Sequence, residues 1–185
     1  IAAGDVDGDG DLDVWIANHK PPFVDGQFPL PYFDANDGHP SRLLLNDGTG
    51  KFTEAAAPTL RKLRRTRSTS WVDLDGDGDL DLLVVVNEAE TLVAYYESTP
   101  NGYVRALLLQ AAVEGEGRAL ALADVDGDGD VDVVVATDLG ELVYFRNDGG
   151  NEKGFLRIRA RGLRSNRDGL GAKVEVKAGA AGTKR

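Results

Sequence analysis

The chain has 185 residues, 42% of them hydrophobic and 28% charged, with no cysteine and a formal net charge of −10. That apolar fraction excludes an acidic disordered tail and allows a buried core, while no run approaches the roughly 18 apolar residues of a membrane-crossing helix. The charge is local: fifteen of the 31 acidic residues fall in three nine-residue segments, and the rest of the chain carries an excess of about five positive charges.

In chain order, Ile1 to Gly4 offers neither a methionine nor a basic region ahead of an apolar one, so no signal peptide is visible and the start reads as cut. Residues 5–13 then read DVDGDGDLD and run into the apolar stretch Val14 to Ala17. An insertion over 18–40 follows, rich in proline and carrying Phe23, Phe28, Tyr32, Phe33 and His39. Its rings either cover the neighbouring structure or present a binding surface, since loops on rigid scaffolds often carry function. Arg42 to Leu45 and Lys51 to Glu54 are predicted strands joined by the turn Asn46-Asp47-Gly48. Ala55 to Leu63 stays open between helix and loop. The basic run Arg61 to Arg67 reads as a solvated connector, with a docking patch or a protease-sensitive loop as sharper readings.

A second unit follows: a strand over Thr69 to Val72, the segment DLDGDGDLD at 73–81, and apolar runs at Leu82 to Val86, Leu92 to Tyr96 and Tyr103 to Leu109. The third repeats the order with Arg118 to Ala123, DVDGDGDVD at 124–132, Val133 to Ala136, Glu141 to Phe145 and Phe155 to Ala160. Trp15 and Trp71 lie in or beside these strands and are expected in the core.

The three acidic segments start 68 and 51 residues apart, and the insertion accounts for the longer interval. Four short strands in a repeat of about 50 residues is the composition of a propeller blade. The expectation is an all-β partial β-propeller of about three four-stranded blades over residues 1–155. The first blade is expected to lack most of its first strand, because only four residues precede its loop. Propellers generally close with four to eight blades, so the chain is expected to be a piece of a longer protein whose remaining blades complete the ring.

Clustered carboxylates call for a counter-ion, and a divalent cation is the simplest. Calcium takes six to eight hard oxygen ligands at roughly 2.3–2.6 Å in a tolerant geometry. Positions 1, 3, 5 and 9 of each segment would supply carboxylates: Asp5, Asp7, Asp9 and Asp13; Asp73, Asp75, Asp77 and Asp81; Asp124, Asp126, Asp128 and Asp132. Position 7 (Asp11, Asp79, Asp130) would offer its backbone carbonyl and turn its side chain to solvent. Position 6 is glycine throughout (Gly10, Gly78, Gly129), where a sharp turn would strain any Cβ. About three calcium ions are therefore expected. Magnesium prefers a stricter octahedron, and zinc is disfavoured because cysteine is absent and both histidines are remote from most of the loops in sequence. An EF-hand is excluded: its twelfth position needs a bidentate glutamate, and here it is Ile16, Val84 or Val135.

Asp-x-Asp-Gly-Asp-Gly-Asp-x-Asp followed by a hydrophobic strand resembles the FG-GAP/VCBS repeat of integrin α-subunit propellers and many secreted bacterial proteins. The stretch RLLLNDGTGKFT at 42–53 is similar to that family's strand, turn and strand after the loop. The insertion, with its prolines and Tyr32, resembles a long loop in bacterial relatives of cartilage acidic protein. Residues 163–179, LRSNRDGLGAKVEVKAG, resemble the opening of the ASPIC/UnbV domain that follows the propeller there. The resemblance implies a seven-bladed, calcium-binding propeller with a C-terminal β segment beginning over 156–185. It further implies export, to the cell surface, the periplasm or the extracellular space, and a role in binding or adhesion.

Catalysis finds little support. His19 and His39 stand apart, and no nucleophile elbow, triad spacing or phosphate loop is present. Carboxylates held on calcium would be ionised and poor general acids. The expected function is a non-enzymatic module for a protein or glycan ligand, without nucleic acid or a membrane span. The alternative is an accessory propeller of an exported enzyme or biosynthetic protein whose active site lies elsewhere.

Overall fold

Every acidic segment bridges two strands, because its nine residues are turn-formers and the runs on either side are apolar. The computed structural model describes residues 1–18, 39–63, 66–88, 91–111, 113, 115–149, 158–162, 166–169, 172, 174, 176–177 and 183–184. Strands β1 (Ala2–Gly4) and β2 (Asp13–Ile16) flank the first loop, and β3 (Arg42–Asn46) and β4 (Phe52–Glu54) complete the sheet. A single 3-10 turn, Leu60–Lys62, settles the segment left open between helix and loop. Strands β5 (Thr69–Val72), β6 (Asp81–Glu88), β7 (Thr91–Glu97) and β8 (Val104–Gln110) form the second sheet around the second loop. The third holds β9 (Gly117–Ala123), β10 (Asp132–Thr137) and β11 (Leu142–Phe145).

All three sheets are antiparallel meanders with strands paired in chain order. The first strands of successive sheets lie side by side, β1 on β5 and β5 on β9, as the inner strands of adjacent propeller blades do. The chain is thus all-β, and its sheets form part of a propeller of repeats.

Two expectations meet the structure differently. The first strand of the first sheet is formed, against the expectation that most of it would be missing: Ala2, Ala3 and Gly4 pair with Trp15, Val14 and Asp13. A Cβ at Gly4 would stand 2.9 Å from Leu80 Cδ1 and 3.1 Å from Trp71 Cδ1, so a larger residue would push these side chains aside where β1 meets the second sheet. The fourth strand of the third sheet, expected over Phe155 to Ala160, falls partly on residues 155–157, outside the described residues, and 158–160 are not in a strand. Of the C-terminal segment 156–185, the described residues show one short antiparallel pair, β12 (Val176–Lys177) with β13 (Thr183–Lys184).

The core lies between sheets, and strand alternation divides it. Along β6, Leu82 and Val84 point to the first sheet, meeting Trp15, Leu43, Trp71 and Tyr96. Leu83 and Val85 point the other way, meeting Val133 and Val135 of the third sheet. All four are fully buried, and each contributes about 1.5–3 kcal/mol relative to exposure. A sheet buried on both faces explains why this strand is a continuous apolar run. Trp15 and Trp71 are core residues, as their strand positions predicted. The face of the third sheet turned away from the second stays open among the described residues, with Leu142 at 74% and Tyr144 at 45% exposure.

Candidate metal centres

The ninth aspartate of each loop is its anchor. Asp13, Asp81 and Asp132 open the second strand of their sheets and are buried. Asp13 accepts hydrogen bonds from Val6 N (2.9 Å) and Asn46 N (2.8 Å). Asp81 accepts from Leu74 N (3.2 Å), Ser98 N (2.8 Å) and the Tyr95 hydroxyl (2.8 Å). Asp132 repeats the set with Val125 N (2.9 Å), Asn147 N (2.9 Å) and the Tyr144 hydroxyl (3.0 Å). One carboxylate thereby ties the start of its loop to the turn after the third strand.

Within the loops, aspartates accept from the backbone N–H two residues on, a bond their short side chain reaches easily. Asp7 accepts from Asp9 N and Asp9 from Asp11 N. Asp75 and Asp77 repeat this with Asp77 N and Asp79 N, and Asp126 and Asp128 with Asp128 N and Asp130 N. The sharp turn expected at position 6 is present, with φ of +96° at Gly10, +95° at Gly78 and +106° at Gly129. Position 4 is left-handed too, as Gly8, Gly76 and Gly127 show, a requirement the sequence reading did not assign to it.

Carboxylate oxygens converge in each loop. Those of Asp5, Asp7 and Asp13 lie within 4.8 Å of one another, as do those of Asp73, Asp75 and Asp81 and those of Asp124, Asp126 and Asp128. Oxygens sharing a calcium at roughly 2.3–2.6 Å are at most about 5 Å apart, so the spacing fits. The strongest sign of fit is at position 1. Asp5 and Asp73 each use Oδ2 to accept from the position-6 glycine N at 3.0 Å. Their Oδ1 atoms are buried with no hydrogen-bond partner, which is costly unless a cation faces them.

The convergent sets differ from the expected positions 1, 3, 5 and 9. Asp9 and Asp77 lie outside the first two groups, and Asp132 lies outside the third, where Asp128 joins instead. The third loop differs at its first residue: Asp124 Oδ1 accepts from Gly127 N, the position-4 glycine, at 2.7 Å. Position 7 also departs from expectation. Asp79 faces solvent, but Asp130 is buried at 3% exposure and Asp11 lies against Gly48 of the following turn. That turn, Asn46-Asp47-Gly48, folds over the first loop, and its counterpart Asn147-Asp148-Gly149 follows the third.

Burial sets the proton affinities first. It raises the carboxyls of Asp73 and Asp81, and that of Asp7 with help from the charge of Asp13. Asp132 moves below the ordinary range because Asn147 N holds its charged form.

Other singled-out residues fall away from these centres. Arg61 pairs with Glu54 (3.4 Å) and Arg67 with Glu116 (2.6 Å), whereas Arg64 and Arg65 lie outside the described residues. His39 joins none of the acidic groups. His19 and the rest of the insertion over 19–38, with its phenylalanines and Tyr32, lie outside the described residues. Three residues that matter were missed. Tyr95 and Tyr144 occupy one register position, opposite Leu83 and Val134, and aligning the repeats would have shown them. Arg146, beside the third loop, has no counterpart in the other two.

Meandering sheets headed by acidic, glycine-turned loops define a repeat-built, propeller-like chain. Residues 5–84 match the model of the FG-GAP-like repeat, a stretch that holds the first two loops and the start of β6. No curated protein matches the chain.

Proposed function

We propose that this is a calcium-binding propeller module that works by presenting a surface to a protein or glycan, outside the cell, without catalytic chemistry of its own. The observation that carries the calcium reading is the pair of buried Oδ1 atoms of Asp5 and Asp73, each without a hydrogen-bond partner in a group of three carboxylates. Asp5, Asp7 and Asp13 hold one ion, Asp73, Asp75 and Asp81 a second, and the third loop, through Asp124, Asp126 and Asp128, a third. Bound calcium neutralises the mutual repulsion of these groups and fixes the loop that ties each sheet's first strand to its second.

The match to the FG-GAP-like repeat favours protein interaction over catalysis. No described helix is long and apolar enough to cross a membrane. Millimolar extracellular calcium fills even weak sites, which resting cytosol does not, and this supports export. The open face of the third sheet, with Leu142 and Tyr144, suits a further blade of the same chain.

Isothermal titration with calcium tests the reading, using Asp5→Ala and Asp73→Ala as partners to the native chain. The expected result is about three ions for the native chain and one fewer for each variant. A native chain that takes up no calcium, or variants that bind as many ions as it does, would refute it.

A further inference from the structure

The third loop carries its own cation. Arg146 leaves the end of β11 and reaches back over the loop, with Nε 3.0 Å from Asp126 Oδ2 and a terminal nitrogen 3.6 Å from Asp128 Oδ2. Its Nε also stands 2.6 Å from Asp148 Oδ1 in the following turn. Asp126 and Asp128 are two of the three residues whose oxygens converge in this loop. A guanidinium thus occupies the carboxylates an ion would use.

Strand register shows that the arrangement belongs to this repeat alone. Tyr144 lies opposite Val134, Tyr95 opposite Leu83 and Leu43 opposite Trp15, so Arg146 corresponds to Glu97 in the second sheet and Leu45 in the first. The same position is neutral in one repeat, acidic in the next and basic in the third. The Gly127 contact of Asp124 is likewise peculiar to this loop.

We infer that Arg146 is an internal competitor for calcium, which makes the third loop the weak site of the three and lets it fill only when the guanidinium swings away. This deepens the calcium reading and rests on it. The side chain is 53% exposed, so it has solvent to move into. Release breaks ion pairs that are individually weak at such exposure, which makes the competition reversible rather than a permanent block. The third loop then responds to calcium in a higher range than the other two. Salt acts on it in opposing ways, loosening the arginine and screening the ion.

The test is a calcium titration of the protein followed by the backbone amide resonances of Gly10, Gly78 and Gly129, one reporter in each loop. In the native chain Gly129 should reach its midpoint at a higher calcium concentration than Gly10 and Gly78. Arg146→Gln should lower the Gly129 midpoint on the order of tenfold and leave the other two in place. Arg146→Lys, which keeps a charge, should stay nearer the native value. A Gly129 midpoint that coincides with the others in the native chain, or that Arg146→Gln leaves unmoved, overturns the proposal while the calcium reading stands. Amides that respond to calcium in none of the loops overturn both.

Discussion

The second and third acidic loops differ at two residues of nine, Leu74 against Val125 and Leu80 against Val131, yet their surroundings make them different centres. Both anchor a buried ninth aspartate to two backbone N–H groups and a tyrosine hydroxyl. In the second loop that anchor also belongs to the convergent group, and the first aspartate keeps a buried oxygen without a partner. In the third loop the group shifts to Asp124, Asp126 and Asp128, and Arg146 pairs with two of them. A nine-residue motif therefore fixes a turn and a supply of carboxylates, while the returning third strand decides how those carboxylates are anchored and which of them are paired.

The largest separation of the two should come from the anchors. Asp81→Ala and Asp132→Ala each strand buried donors, at a cost of about 3 kcal/mol or more, and urea unfolding should show both as strongly destabilised. Their effects on calcium should diverge: Asp81→Ala abolishes the second site, whereas Asp132→Ala leaves the three convergent carboxylates of the third. Next comes position 5, read by titration calorimetry. Asp128→Ala should eliminate the third site and spare the first two, while Asp77→Ala, outside its group, should weaken the second only partly. Equal loss at all three sites from Asp128→Ala would show that the loops are not independent.

Smaller effects concern the tyrosines and pH. Tyr95→Phe removes a hydrogen bond to a buried carboxylate and should cost about 1–2 kcal/mol, and Tyr144→Phe, half exposed, should cost less than about 1. The raised carboxyls of Asp73 and Asp81 make the calcium-free second loop more stable as the pH falls through their folded values, which lie above the ordinary 3.8. Asp132 acts oppositely, and its contribution is lost on acidification below 3.8. Calcium binding weakens over the same descent, because ligands must be deprotonated. Thermal midpoints with and without calcium should therefore converge on acidification, and midpoints that stay equally separated would contradict the assignment.

Much of this was legible in the sequence because the repeat concentrates its information. Apolar runs beside DVDGDGDLD and its copies located the strands, and the glycine at position 6 located the turn. Leu82 to Val86 read as an apolar, strand-sized run, and only the structure shows it buried on both faces. What escaped depends on residues brought back from elsewhere. Arg146 meets Asp126 only because β11 folds antiparallel onto β10, and nothing in its local sequence marks it. The short β1 was underestimated because it packs at Gly4 against Leu80 and Trp71, a relation between sheets rather than within one.

The central claim is that calcium is part of the folded blades, and the most direct test is thermal unfolding of the native chain in millimolar calcium and in excess EDTA. Each site held at a hundred times its dissociation constant adds about 2.7 kcal/mol, so the account predicts a large fall in the unfolding midpoint on chelation, restored by added calcium. Identical unfolding curves in the two conditions would contradict it.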